Sequence, residues 1–418
     1  MPETFSASDR IVVKPLMEQH QEKLDKLFKE KWDLIVADAL FIPHGHAIAL
    51  KLFEEQGVPY LLYETACQVE DWQMSIMAMS WSPVSKAYVY LDPSTTPNGH
   101  YNPQRFLERL LTFSSSFYET FHYYYMPVST EYPNVEKLGV RNFKYSRVLN
   151  NAYGLFAERV DYMGWMMPIS NQLIDVGANC RLKFETLPKQ MKEFVEKPGS
   201  KGTIYIAFGS YANWSAALPN VIDSIHYTIK NLQEYQIIFS YNGDLNKMPS
   251  VKNLMLVKWA PQSAILTHPK TRLFVSHGGM KSVKEAVCSQ VPLIALPLFA
   301  EQPYAANNVA KQKIGLVLHK HHVTGQQMLE QANKILNEPV YAENIRKFKR
   351  IYTDRVIPQM DLAQFHVERA IRSKHTHRFN KRQGAYICHG RSFYYLTFLV
   401  GLFWQFCSAC KQTFQCMK

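Results

Sequence analysis

Polar residues able to hold an anion cluster between positions 259 and 302. Ser276-His277-Gly278-Gly279 follows the apolar run 273–275 and precedes 280–288, a stretch with helical spacing and no breaker. Paired glycines let a backbone pass close to a ligand with no Cβ in the way. The first turn of the following helix would aim its free N–H groups, with the hydroxyl of Ser282, at the same point, and a phosphate is the natural guest. His277 and Lys281 add donors and the prospect of positive charge. A second apolar run, 293–296, ends at Pro297, and the loop beyond it carries Glu301 and Gln302. Ligands of open α/β sheets bind outside the carboxyl ends of the strands, so both loops should face one ligand. A further carboxylate, Asp38, closes the strand-like run 32–38, a position shared by catalytic groups and helix caps.

These residues need a scaffold of alternating strands and helices, and the sequence supplies one. Residues 273–275, 280–288 and 293–296 read as one strand–helix–strand unit. Upstream, 202–210 is an apolar strand ending in Gly209-Ser210, followed by a helix over 218–232 and strands over 236–241 and 254–257. The alternation predicts a doubly wound parallel sheet. Nearer the start, an amphipathic helix over 16–31, the strand 32–38, a helix over 44–55 and the strand 57–63 predict a second such sheet. Residues 72–153 are rich in aromatics and methionine, with helical spacing over 103–125, which suits an adaptable apolar pocket and equally a helical core. Residues 164–179 lack periodicity and read as a crossing segment, and 183–197 as a linker with a short helix. The predicted organisation is a first domain over 1–180 and a second over 181–373, helical after 324.

Beyond that, 374–393 is basic and 394–410 is apolar, just long enough for a membrane span of about 20 residues with roughly 17 as the lower limit. Positive residues are denser before this segment than after it, opposite to the bias of a cytosolic tail. Net charge is +12, but the lysines and arginines are scattered without interleaved aromatics, which excludes nucleic acid as the implied partner. The seven cysteines are an odd number and mostly far apart, so no disulfide framework is predicted. Cys407 and Cys410 lack the partners of a zinc site, and no metal is implied. The opening residues 1–9 are polar, with no apolar run after a basic start, so no signal peptide is expected there. Asn213-Trp214-Ser215 is a glycosylation sequon.

The string Trp259, Pro261, Gln262, His277, Gly279, Ser282, Glu285, Pro292, Pro297 and Gln302 resembles the signature of the UDP-glycosyltransferase family, which includes the UDP-glucuronosyltransferases. The resemblance is strongest over 197–318 and looser over 32–180. It implies the GT-B architecture, two Rossmann-like domains facing a cleft, with a candidate C-terminal membrane helix. It also implies roles. Trp259 would stack on uracil and Gln262 would lie near the ribose. Glu285 would accept both ribose hydroxyls. His277, Gly279 and Ser282 would hold the diphosphate, with Ser210 contacting it from the first loop. Glu301 and Gln302 would read the sugar hydroxyls. A carboxylate is a two-oxygen acceptor for a diol and an indole offers a flat face to a base, so the chemistry fits. Many relatives carry Asn at the place of Lys281 and Asp at that of Glu301. Lysine still offers phosphate a point charge. Glutamate reaches one methylene further, which leaves the sugar open.

The implied reaction moves a glucuronosyl or glucosyl group from a UDP-sugar to a small lipophilic hydroxyl compound, with inversion. The UDP-sugar is a co-substrate, and no cofactor is implied. In the family a histidine early in the first domain takes the acceptor proton, and the carboxylate matching Asp38 stabilises the imidazolium. Here only His20 precedes Asp38, with no strand ahead of it, so no base is assigned and the first domain is expected to be incomplete. Three alternatives stay open: a non-catalytic relative that binds UDP-sugar, one that takes its base from a partner chain, and an epimerase of similar fold. The resemblance further implies a single-pass endoplasmic-reticulum protein with lumenal domains, and leaves open a homo-oligomer.

Overall fold

The computed structural model describes residues 12–40, 43–64, 73–74, 77, 104–125, 133–158, 171–180, 186–209, 212, 214–299 and 301–373. In the first domain, helix α1 (Lys14–Lys29) leads to β1 (Ile35–Asp38), α2 (Pro43–Gln56) and β2 (Tyr60–Glu64). After α3 (Phe106–Tyr125), α4 (Pro133–Lys137) and α5 (Tyr145–Asn151) come β3 (Gly154–Ala157) and β4 (Leu173–Asp175). The four strands are parallel in the order β1-β2-β3-β4. Each strand alternates its side chains between the faces of the sheet. Tyr60 and Leu62 of β2 enter a core with Ala47 and Leu50 of α2 and Val148 of α5, while Leu61 points to the other face with Phe156 and Ile174. Residues 164–179 show no period in the sequence and read as a crossing segment. It contains β4, whose three residues are too few to show a period and pair only because β3 lies beside them.

The second domain opens with α6 (Lys189–Val195). It continues through β5 (Thr203–Ala207), α7 (Pro219–Asn231), β6 (Gln236–Ser240), β7 (Leu254–Val257), α8 (Gln262–Thr267), β8 (Thr271–Ser276), α9 (Met280–Ser289), β9 (Leu293–Ala295), α10 (Gln302–Lys311) and β10 (Gly315–Val317). The helices α11 (Gly325–Asn337), α12 (Pro339–Thr353) and α13 (Gln359–Arg372) close the described chain. The six strands run parallel in the order β10-β9-β8-β5-β6-β7. Both faces are covered, as the near-continuous apolar strands require. Tyr205 and Ala207 of β5 pack with Val283, Ala286 and Val287 of α9. Ile204 and Ile206 pack with Ile225 and Ile229 of α7 and Met328 of α11.

Among the described residues, several connections tie the domains. Helix α13 lies against the first sheet, with Leu362, Ala363 and Val367 packed on Leu61, Phe156 and Ile174. The Tyr352 hydroxyl of α12 donates to the carbonyl of Gly177 in the segment leaving β4. Cys180, three residues further on, is disulfide-bonded to Cys288 near the end of α9. This corrects the expectation of no disulfide. The two cysteines are 108 residues apart in sequence, and only the return of the linker along α9 brings their Cα atoms to 5.2 Å.

Candidate functional site

The strand order places β5 and β8 side by side while the chain leaves them in opposite directions, and such a switch point opens a crevice at the carboxyl ends. Ala207 pairs with Ser276 there, so the turns after both strands meet. A Cβ on Gly209 would lie 3.1 Å from the His277 ring, and one on Gly279 would lie 2.5 Å from its Nε2. The imidazole therefore fills the gap between two glycine backbones that no other residue would leave open. Gly278 adopts a φ of +76°, a left-handed conformation suited to glycine. The chain then enters α9, which directs its first N–H groups back at the turn.

Burial lowers the His277 pKa to about 4, so the ring is neutral at ordinary pH. Of the two residues expected to add donors and positive charge, His277 therefore offers the donor and Lys281 the charge. The Gly278 N–H donates to Ser276 Oγ at 3.2 Å, and Ser276 Oγ lies 3.4 Å from His277 Nδ1. When the serine hydroxyl donates to Nδ1, the ring proton sits on Nε2, the tautomer that can donate to an anion from that nitrogen. Ser282 is buried in the first turn of α9, and Lys281 beside it is exposed. Charge at this end of the site therefore comes from Lys281 and the helix terminus. Ser210 and Asn213 lie outside the described residues.

Along the same rim, Trp259 is 79% exposed. That rejects a core role and leaves its indole available as a stacking surface. Three residues on, Gln262 at the start of α8 donates from Nε2 to Glu285 Oε2 at 2.6 Å. Helices α8 and α9 come from separate stretches of chain, and the amide ties the Glu285 carboxylate to the start of α8, three residues after Trp259. Glu301 and Gln302, at the start of α10, are both buried. The Gln302 side-chain Oε1 accepts from the backbone N–H groups of Leu298 and Phe299 at 2.8 and 3.2 Å. In this state it shapes the loop after β9 instead of pointing its oxygen outwards.

Asp38 ends β1 of the facing domain. Its Oδ1 accepts from the Leu40 N–H at 2.8 Å, the geometry of a local turn. Burial raises its pKa, opposed by that hydrogen bond and by the charge of Lys281. Asp38 and Lys281 thus feel each other although they belong to different domains. His46 of α2 donates from Nε2 to the Asp38 carbonyl at 2.7 Å, fixing the strand end from behind. Sequence reasoning passed over His46, and also over Lys284, which donates to Glu158 Oε2 at 2.7 Å. Nothing in the local sequence marks either one. A cavity of about 910 Å³ between β4 and α13, lined by Tyr153, Gln359, His366 and Arg369 among others, shares no residue with this site.

The chain matches the profile of the UDP-glucoronosyl and UDP-glucosyl transferase family over residues 9–389. It is 31% identical over 365 residues to a UDP-glucuronosyltransferase of Pleuronectes platessa, covering 85% of this chain and 72% of that protein. With UDP-glucuronosyltransferase 2A1 of Mus musculus it shares 26% identity over 378 residues, covering 85% of this chain and 64% of the mouse protein. Among solved structures it is similar to a UDP-glucose: anthocyanidin 3-O-glucosyltransferase in complex with UDP, at a TM-score of 0.58 and 18% identity, covering 88% of this chain and 80% of that one. A glycotransferase of kitacinnamycin aligns with a TM-score of 0.57 and 16% identity, covering 88% and 83%. These likenesses, with the two parallel sheets, give the fold as GT-B.

Proposed function

Since the chain belongs to the UDP-glucoronosyl and UDP-glucosyl transferase family, we propose that it transfers a hexosyl group, glucuronosyl or glucosyl, from a UDP-sugar to a small lipophilic hydroxyl compound, with inversion. The observation that carries this reading is the assembly at the switch point of the second sheet. There a neutral His277 lies between two glycines at the start of α9, Gln262 holds Glu285 of that helix, and Trp259, three residues before Gln262, is exposed. In this reading the indole takes the uracil and Glu285 the ribose diol. His277 Nε2–H and the N–H groups of α9 take the diphosphate. Glu301 and Gln302 bound the hexose.

The acceptor oxygen attacks the anomeric carbon from the face opposite the diphosphate. The bond from that carbon to the phosphate oxygen breaks, and UDP departs carrying the electron pair. Negative charge grows on the leaving phosphate, where fixed donors stabilise it most. The acceptor proton must pass to a base near Asp38, whose carboxylate would stabilise the resulting cation. The apolar segment 394–410 is proposed as a single membrane span, and a bonded Cys180–Cys288 pair suits an oxidising compartment such as the endoplasmic-reticulum lumen. Extraction of membranes with carbonate should leave the protein in the pellet; release to the soluble fraction would remove the span.

Calorimetry with UDP tests the donor site, and turnover of UDP-glucose and UDP-glucuronate with a panel of phenols tests the reaction. Product formation with inverted anomeric configuration is expected. A folded chain with no affinity for UDP refutes the reading. One that binds UDP-sugar but transfers nothing is a binding protein of the same fold.

A further inference from the structure

Helix α9 faces two ways. Val283, Ala286 and Val287 are buried in the second domain. Lys281, Lys284 and Cys288 recur at i, i+3 and i+7, which puts them on one stripe of a helix. Every member of that stripe acts on the first domain or the segment leaving it. Lys281 exerts its charge on Asp38 at the end of β1. Lys284 donates at 2.7 Å to Glu158, just past β3, which in turn accepts from the Tyr63 hydroxyl of β2. Cys288 is bonded to Cys180 in the segment that leaves β4. The ion pair is largely buried on both sides, and Cys288 is fully so.

We propose that Cys180 and Cys288, with Lys284 and Glu158, form a strap that sets the position of α9 between the domains, and through it the affinity for the donor diphosphate. The proposal rests on the reading of the turn before α9 as the diphosphate site. Helix α9 delivers its N-terminal N–H groups to that turn, and the turn's glycines touch His277. A rigid helix transmits a shift at residue 288 to residue 280 undiminished. The disulfide anchors the far end, the ion pair anchors the middle, and the near end meets the ligand. Opening the bond removes the covalent tie between the linker and α9 and leaves the Lys284–Glu158 ion pair and the charge of Lys281 along this stripe. These four are positioning residues, since none is placed against the substrate.

Reduction by dithiothreitol is balanced within the reagent. One of its thiolates attacks the Cys180–Cys288 bond and expels one cysteine thiolate; the second attacks the reagent's own sulfur in the mixed disulfide and expels the other cysteine, and the reagent leaves as a cyclic disulfide. The protein gains two thiols. Peptide mapping of the full chain without reductant should return Cys180 and Cys288 cross-linked. Calorimetry should then show the Kd for UDP rising about fivefold or more on reduction, within the usual range of coupling between sites. Cys180→Ser should show the raised Kd from the outset and ignore the reductant. Amide exchange over 280–289 in the ligand-free chain should quicken in parallel.

A fall in Tm with an unchanged Kd and unchanged exchange, on verified reduction, makes the bond merely structural and overturns the proposal. Absence of the cross-linked peptide overturns it as well. If the oxidised chain carries the bond but binds no UDP, the donor-site reading fails. The exchange measurement then still decides whether the strap positions α9.

Discussion

Trp259 and Glu285 show how a side chain's surroundings define what it can do. An indole 79% exposed adds nothing to a core, and a carboxylate fixed by Gln262 is already oriented before a ligand arrives. Trp259→Ala should weaken UDP binding by about 1–3 kcal/mol, the worth of a base stacked on an aromatic ring. Glu285→Ala should cost about 1.5–3 kcal/mol, the range for hydrogen bonds to a charged group. Titration calorimetry measures both, and unchanged affinity in either removes that residue from the site. Asp38→Asn should lower kcat while leaving the Kd for UDP alone, because Asp38 belongs to the facing domain. His46 makes a separate prediction about pH. Burial lowers its pKa from 6.5 to about 4, so the unfolded chain binds a proton that the folded chain refuses between those values. Stability is then fully present above pH 6.5 and declines as pH falls towards 4, by about 3 kcal/mol for this group. His277 acts with the same sign. Denaturant titrations of His46→Gln should show a flatter pH dependence over that window, and a curve parallel to the parent would refute the assignment.

At the scale of the element, the turn between β8 and α9 combines a strand end, two glycines and a helix start in a few residues. Gly279 tests how tightly they are coupled. A methyl at this position would come within 2.5 Å of His277 Nε2, so the ring must move. Gly279→Ala should therefore abolish measurable UDP binding while leaving far-UV circular dichroism unchanged, since the residue precedes the helix and alanine is a good helix former. Retained affinity would mean that His277 does not serve the ligand. The loop before α10 has the opposite character. Gln302 holds the backbone of Leu298 and Phe299, so its substitution should disturb the loop and, on the proposed function, the binding of the hexose with it.

Across the whole molecule, the last described helix completes the first domain. Leu362, Ala363 and Val367 of α13 cover the face of the first sheet formed by Leu61, Phe156 and Ile174. Val367→Asp places a charge against that apolar face and should destabilise by on the order of 1–3 kcal/mol. The loss should appear first in the first domain, although the substitution is distant from it in sequence. Limited proteolysis reads this directly: early cleavage within 133–158 is expected, and uniform cleavage of both domains would count against the packing.

The donor half was legible because its information is local. Apolar runs ending in Ser276-His277-Gly278-Gly279 are short-range patterns, and a parallel strand buried on both faces needs no partner to be recognised. The sequence alone therefore supplied the βαβ unit, the position of Trp259, Gln262, Glu285 and the glycine turn, and Asp38 at a strand end. It could not supply β4, which is three residues long and exists through its pairing with β3. Nor could it supply charge: His277 is neutral because of what packs around it, and a pKa follows burial, not residue type. The disulfide and the Lys284–Glu158 pair join residues more than a hundred positions apart. Such pairs leave no periodicity for a sequence to display, because contact between them arises only when α9 is brought against the end of β3 and the segment that leaves β4.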